Sequence, residues 1–327
     1  MKPILFAAAL LTAPVASVCK RVLGPVLAAG AMAAAAIAAP AHDIRIDDVA
    51  VYPESIGATP DGTLYSGSMK GIVFRARKGD RFAEPFIQPD ARNGILSLLG
   101  VLPDAKSGVL WLCSSPSPLR HPPAIGTASL MAFELKSGAF KASYPFPAPG
   151  GACNDITIAA DGSVYATDTP NGRIFVLKPR AKALALYASD PQLKGIDGIV
   201  FSGDGTLYLN IVSKGLLMRV ERGPDGAFAG LTTLKLSQPV AGPDGFRLIS
   251  GHRFLLAEGN SGRIDEVTIE GDEARITVLK QGLVSPPAVT VVGRTAYAAE
   301  GKIVYLIDPK LKGQDPGPFF IRAIPLP

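Results

Sequence analysis

The stretch Ile196-Asp197-Gly198-Ile199-Val200-Phe201-Ser202-Gly203-Asp204-Gly205-Thr206-Leu207-Tyr208 reads as an apolar strand, an Asp-Gly tight turn and a second strand opening on an aromatic residue. Asp-Gly between apolar runs is the strongest short hairpin signal. An aromatic in that place recurs along the 327 residues as Tyr65, Trp111, Tyr165, Tyr208, Phe254 and Tyr297, at gaps of 46, 54, 43, 46 and 43. Gly62, Gly108, Gly162, Gly205 and Gly251 each precede their aromatic by three positions, and Gly293 precedes Tyr297 by four. A further apolar run follows each aromatic, at 71–77, 129–135, 172–178, 215–221, 262–269 and 301–308. Repeats of this length with three or four antiparallel strands match propeller blades. The reading is an all-β, six-bladed β-propeller with antiparallel three- to four-stranded blades. Segments 44–51 and 319–326 are strand-like and lie outside the regular units, so one or both are expected to complete the last blade. An open sandwich would give no reason for six similar units.

Residues 1–41 differ from the rest, being dominated by Ala, Leu, Val and Pro with only Lys2, Lys20 and Arg21 charged. Lys20 and Arg21 precede an Ala-rich run over 22–39, and Ala39-Pro40-Ala41 gives a small-x-small pattern, which reads as a signal peptide cleaved after Ala41. An uncleaved anchor is the alternative, because the run is about long enough to span a bilayer. Residues 42–327 form the single propeller domain, expected in the periplasm or secreted. The whole chain has 33 Lys+Arg against 28 Asp+Glu, and losing the leader lowers the formal charge from +5 to +2. No Lys/Arg block with interleaved aromatics remains, which excludes a basic nucleic-acid surface, and no membrane insertion is expected beyond the leader. Cys113 and Cys153 remain after cleavage; an oxidising compartment permits them to pair across neighbouring blades, and two buried thiols are the alternative.

Counting eleven residues back from each aromatic reaches the start of each innermost strand, at Glu54, Gly100, Asn154, Asp197, Pro243 and Pro286, with Asp244 one step beyond Pro243. Glu54, Asn154, Asp197 and Asp244 are thereby expected together at one mouth of the central channel. Three carboxylates at close quarters raise one another's pKa and call for protons or a cation. All-oxygen ligation selects a hard ion, Ca²⁺ before Mg²⁺ or another divalent cation. Zinc is disfavoured without a His or Cys cluster. The bland alternative treats these acids as ordinary turn and strand-start residues, but their shared register favours a cluster. In a propeller the loops joining second and third strands share this face; they carry Asp168, Asn210 and Glu258, while the Pro-rich segment 115–128 carries Arg120 and His121. Asp168, Asn210, His121 and Asn154 are the candidates for substrate contact. There is no Gly-x-Ser-x-Gly elbow, P-loop or dinucleotide fingerprint.

Pro53-Glu54-Ser55, Cys153-Asn154-Asp155, Ile196-Asp197-Gly198-Ile199 and Gly242-Pro243-Asp244-Gly245 resemble the motifs of the regucalcin and gluconolactonase family of calcium-dependent lactonases, and the similarity runs over residues 42–327. The resemblance implies metal ligation by Glu54, Asp197 and Asp244, a general-base role for Asp244, and an Asn154 that reaches substrate beside the metal. Two departures stand out. Asp197 replaces the family's usual asparagine, which adds negative charge to the metal set, and Ala152 occupies the place of the arginine that holds substrate in sugar-lactone enzymes. The expected activity is metal-dependent hydrolysis of a small lactone or related ester, the ion polarising the carbonyl and Asp244 acting as base. A non-catalytic, metal-braced propeller that binds a small molecule or protein is the alternative, and a strictosidine synthase-like lyase a weaker third.

Overall fold

Each hairpin forms where an apolar strand meets a turn whose glycine takes a positive φ: Gly62, Gly162 and Gly205 sit at 91°, 87° and 87°, backbone that other residues enter only with strain. The computed structural model describes residues 41–120, 122–147 and 149–327. The expected leader, Ala41 apart, and His121 lie outside the described residues. After β1 (Ile44–Ile46) come β2 (Pro53–Ala58), β3 (Leu64–Ser68), β4 (Val73–Ala76) and β5 (Phe82–Ile87). The second meander comprises β6 (Ser97–Asp104), β7 (Val109–Ser115), β8 (Ser129–Glu134) and β9 (Phe140–Pro145). Next come β10 (Cys153–Ile158), β11 (Val164–Asp168), β12 (Arg173–Leu177) and β13 (Ala185–Ser189), then β14 (Ile196–Phe201), β15 (Leu207–Ile211), β16 (Leu216–Arg222) and β17 (Phe228–Thr233). A short β18 (Lys235–Leu236) precedes β19 (Pro243–Ser250), β20 (Arg253–Glu258), β21 (Arg263–Glu270) and β22 (Glu273–Lys280). The chain ends with β23 (Ala288–Val292), β24 (Thr295–Ala299), a one-turn helix α1 (Val304–Ile307) and β25 (Phe319–Pro325).

Three of the sheets are four-stranded meanders, β6 to β9, β10 to β13 and β14 to β17, and a fourth adds β18 to the meander β19 to β22. The remaining sheet runs β2-β3-β4-β5-β1-β25-β24-β23, so that β1 joins two meanders by pairing antiparallel with β25 and parallel with β5. The first strands lie side by side: β2 packs on β6, β6 on β10, β10 on β14, β14 on β19, β19 on β23, and β23 returns to β2. The architecture is an all-β propeller with its first strands around a central axis.

The repeat aromatics explain the period physically. Tyr65 packs with Val101 and Leu110 of the following meander, Tyr165 with Ile199 and Phe201, and Tyr208 with Phe246 and Phe254. The Tyr165 and Phe201 rings stand 5.4 Å apart edge to face, and those of Tyr208 and Phe254 5.5 Å apart. Each ring fills the wedge between successive sheets, a burial that stabilises by about 1.5–3 kcal/mol per large side chain.

The last meander departs from expectation. Segment 301–308 was expected as its third strand, but Lys302 has a φ of 54° and the chain leaves the sheet there into α1. Lys302 Nζ donates to the Pro316 and Pro318 carbonyls at 2.6 and 2.9 Å, tying the excursion back, and β25 takes the third position against β24. The expected strand at 44–51 also shortens to β1, since Ala50 and Tyr52 adopt φ values of 49° and 47°. Cys113 on β7 and Cys153 on β10 form a disulfide with Cα atoms 4.9 Å apart.

Candidate active site at the channel mouth

The predicted residues sit where the inner hairpins are irregular. Antiparallel register shifts between Pro53 and Ser55, Cys153 and Ile156, Ile196 and Ile199, and Pro243 and Phe246. These intervals contain Glu54, Asn154, Asp197 and Asp244. A bulge frees residues from the ladder and re-aims their side chains, so the repeated irregularity turns one oxygen-bearing group per strand toward the axis. The β23–β24 pair, which lies beyond Pro286, has no such shift. Gly100 lacks a side chain for a packing reason: a Cβ there would lie 2.2 Å from the Asn154 carbonyl oxygen. Gly198 is held likewise, 2.4 Å from the Asp244 carbonyl oxygen.

Polar side chains on the second strands stitch the bulges together. Thr167 Oγ1 accepts from the Asp155 N–H at 2.9 Å and donates to the Asp197 carbonyl at 3.0 Å. One meander on, Asn210 Oδ1 accepts from the Gly198 N–H at 3.1 Å while its Nδ2 donates to the Asp244 carbonyl at 2.5 Å. Each of these side chains therefore satisfies a bulge N–H of its own meander and a carbonyl of the next.

Asn154 and Asp197 are each 7% exposed, whereas Glu54 and Asp244 are half-buried. Asn154 Nδ2 donates to Asp197 Oδ2 and to Thr169 Oγ1, both at 2.9 Å. Its amide hydrogens are thus committed, leaving Oδ1 as the free group. Burial, then Asp197 and Asp155, raise the Glu54 carboxyl well above the usual range. Burial and Asp155 lift Asp197 to about 7, against hydrogen bonds from Asp244 and Asn154. Asp244 is raised well above its usual value by burial first, then by Asp197 and Glu54. The three titrate as a group, and near neutral pH the cluster retains protons unless a cation compensates it.

Two residues outside the predicted set hold the floor of this cluster. Arg247 on β19 reaches across the axis to Asp155 on β10, donating through Nη1 at 2.7 Å and Nη2 at 2.6 Å. Asp155 Oδ2 also accepts from the Ile199 N–H at 3.0 Å, so one ion pair braces three inner strands. Arg247 is held protonated by Asp155 and by the nearby Asp244 and Asp197. An arginine inside the run Phe246 to Ile249, apolar but for that position, was the available sequence signal.

The remaining predicted residues are placed otherwise. Asp168 is fully buried; its carboxylate accepts from Arg173 Nε at 2.8 Å, the Ala152 N–H at 3.1 Å and Asn171 Nδ2 at 3.2 Å. Asn210 is fully buried in the stitch described above. Glu258 is fully buried against Arg263. Loop 115–128 is closed by an antiparallel bridge between Ser117 and Ala124, and Arg120 Nη1 donates to the Leu96 carbonyl at 3.0 Å.

No protein-family model and no curated protein matches the sequence. Solved structures do match the fold. A gluconolactonase from Xanthomonas campestris aligns at TM-score 0.60 and 18% identity over 86% of this chain and 88% of that one. A luciferin-regenerating enzyme aligns at 0.60 and 12%, over 87% and 92%. A virginiamycin B lyase from Staphylococcus aureus, crystallised with quinupristin, aligns at 0.57 and 15%, over 83% and 80%. At these identities the likeness is one of fold, and it agrees with the β-propeller read from the repeats.

Proposed function

We propose that this chain is an exported, six-bladed propeller that hydrolyses a small lactone or related ester at the Glu54–Asp197–Asp244 mouth, with a hard divalent cation, Ca²⁺ first, as cofactor. The observation that carries the reading is the convergence of three acids, one buried and two half-buried, and Asn154 from four bulged inner strands. Glu54, Asp197 and Asp244 carboxylates with Asn154 Oδ1 make an all-oxygen donor set, and their raised pKa values express a charge that a cation would offset. Among the described residues no three His, Cys, Asp or Glu side chains already stand as a ligand shell, so ion binding would draw these side chains together. When bound, the ion would polarise the ester carbonyl. Asp244, half-open to solvent, takes the proton of the attacking water as its carboxylate. Asp155 and Arg247 fix the bulges below. The Cys113–Cys153 bridge is compatible with the oxidising compartment that export provides, and among the described residues no helix is long and apolar enough to cross a membrane.

The test is a lactone and ester panel run with Ca²⁺, after chelation, and with Asp244→Asn. Turnover that requires the ion and disappears in the variant supports the hydrolase; turnover indifferent to both sinks it. The departures at Asp197 and Ala152 support a second reading, a metal-braced binding module. Calorimetric Ca²⁺ binding, with no hydrolysis of any panel member, would select that reading.

A further inference from the structure

We infer that the segment Ser285-Pro286-Pro287 is a strained strut that sets the spacing of Glu54 and Asp244, and that Ser285 and Ala50 are positioning residues for the ion those acids take. This rests on the metal-dependent reading above. The register that reaches Glu54, Asn154, Asp197 and the Pro243-Asp244 pair puts Pro286 at the start of the last inner strand, β23. That strand packs between β2, which carries Glu54, and β19, which carries Asp244. The segment leading into β23 thus offers no ligand at the register position, yet it touches the backbone beside both acids.

A Cβ on Gly301 would lie 2.7 Å from Pro287 Cδ and 2.8 Å from the Pro53 carbonyl oxygen, so Gly301 fills the gap between the two prolines with no room to spare. On the other side the Gly245 N–H donates to the Pro287 carbonyl at 2.8 Å. Pro53 immediately precedes Glu54, and Gly245 immediately follows Asp244. An unbroken series of contacts, Pro53 to Gly301 to Pro287 to Gly245, therefore spans the interval between the two acids. Main-chain hydrogen bonds hold its parts: the Gly301 and Lys302 N–H groups donate to the Ser285 and Val284 carbonyls at 3.1 and 3.0 Å, and the Tyr52 carbonyl accepts from the Met69 N–H at 3.1 Å.

The same junction concentrates unfavourable backbone. Among the described residues five other than glycine have a positive φ, and four of them, Ala50, Tyr52, Ser285 and Lys302, at 49°, 47°, 45° and 54°, belong to it. The fifth, Arg180 at 66°, lies between β12 and β13. Ser285 also precedes Pro286, where the proline ring ordinarily confines a residue to extended backbone. Ala50 and Tyr52 flank the fully buried Val51, and the kink they make leads directly into Pro53 and Glu54. Residues keep such backbone only where their surroundings over-determine it, and they gather where geometry serves function. Closure of the ring does not call for the kink, since it is made by β1 pairing with β25 and β5.

The experiment replaces strained residues with glycine, which enters the same φ freely, in Ala50→Gly, Ser285→Gly and the distant control Arg180→Gly. It reads the melting temperature of the chelated protein and the calorimetric dissociation constant for Ca²⁺. All three variants should keep or exceed the native melting temperature. Ala50→Gly and Ser285→Gly should nevertheless raise the dissociation constant about tenfold or more, while Arg180→Gly leaves it unchanged. Native Ca²⁺ affinity in Ala50→Gly or Ser285→Gly, an equal weakening in Arg180→Gly, or a melting temperature that falls together with affinity overturns the inference. Ion binding without hydrolysis of any ester sinks the hydrolase reading alone and leaves this comparison intact. Should the native chain bind no Ca²⁺, the metal reading fails separately, and the backbone amide NMR resonances of Glu54 and Gly245 in the ion-free protein test the strut. Movement of both in Ser285→Gly and of neither in Arg180→Gly supports it, and any other pattern overturns it.

Discussion

Buried and half-buried acids occur in two regions of this propeller, and the contrast between them separates architecture from chemistry. Between second and third strands, Asp168 meets Arg173, Glu258 meets Arg263, and Glu300 meets Arg322. Strand pairing within one meander sets Asp168 and Glu258 opposite their arginines, and Glu300 accepts from Nε and Nη2 of Arg322 on β25. At the channel mouth Glu54, Asp197 and Asp244 come from different meanders and share only Arg247, whose two Nη groups already serve Asp155. The first kind of site ends with its charge neutralised, and so locks a turn. The second ends with a surplus of negative charge facing a mouth, which is the condition for recruiting a cation or holding a proton for transfer. Asp265 is the mixed case: it lies 3.6 Å from the arginine that Glu258 already occupies, and its own oxygens have no hydrogen-bond partner.

Substitutions at the two regions should therefore behave in opposite ways. The largest effect is expected for Asp244→Asn, which should lower metal-dependent hydrolysis by roughly 10²- to 10⁴-fold yet raise the melting temperature of the chelated protein at pH 8, because one like charge is gone. An equal loss of stability and activity would erase the distinction. Arg173→Met strands a fully buried carboxylate and should cost about 3–5 kcal/mol in urea unfolding. The Cys113→Ala/Cys153→Ala pair removes a cross-link over a 40-residue separation, worth about 2–4 kcal/mol, and a denaturant midpoint unchanged from the native chain would contradict a structural role for the bridge.

A further contrast concerns pH. Burial, with the neighbouring Glu258, raises Asp265 from 3.8 to about 8 in the fold. The native state therefore keeps a proton that the unfolded chain sheds near pH 4, and stability falls as pH rises through that window. Asp265→Asn should flatten the decline in urea midpoint between pH 5 and pH 8, with the mouth acids left to account for the remaining slope. An unchanged slope would place the whole pH dependence at the mouth.

Much of the site was legible because a repeat is also a ruler. An interval of eleven residues from Tyr65, Tyr165 and Tyr208 lands on Glu54, Asn154 and Asp197, since the same hairpin geometry is built each time. The ruler failed where the chain breaks its own pattern. In the last meander the positive φ at Lys302 diverts 301–308 from the sheet, and local apolarity carries no sign of that turn. It also could not tell an acid facing the mouth from one facing its own meander, which is why Asp168 and Asn210 read as substrate contacts although both are buried and bonded.

The sequence by itself determined the all-β class, the period, and which oxygen-bearing residues stand at equivalent places, because strand alternation, turn glycines and aromatic wedges are local properties. Only the tertiary structure decided which acids are neutralised. Asp155 and Arg247 lie 92 residues apart, and their pairing, like the joining of β1 to β25, exists only once the first strands meet around the axis and exclude the water that would otherwise screen each charge.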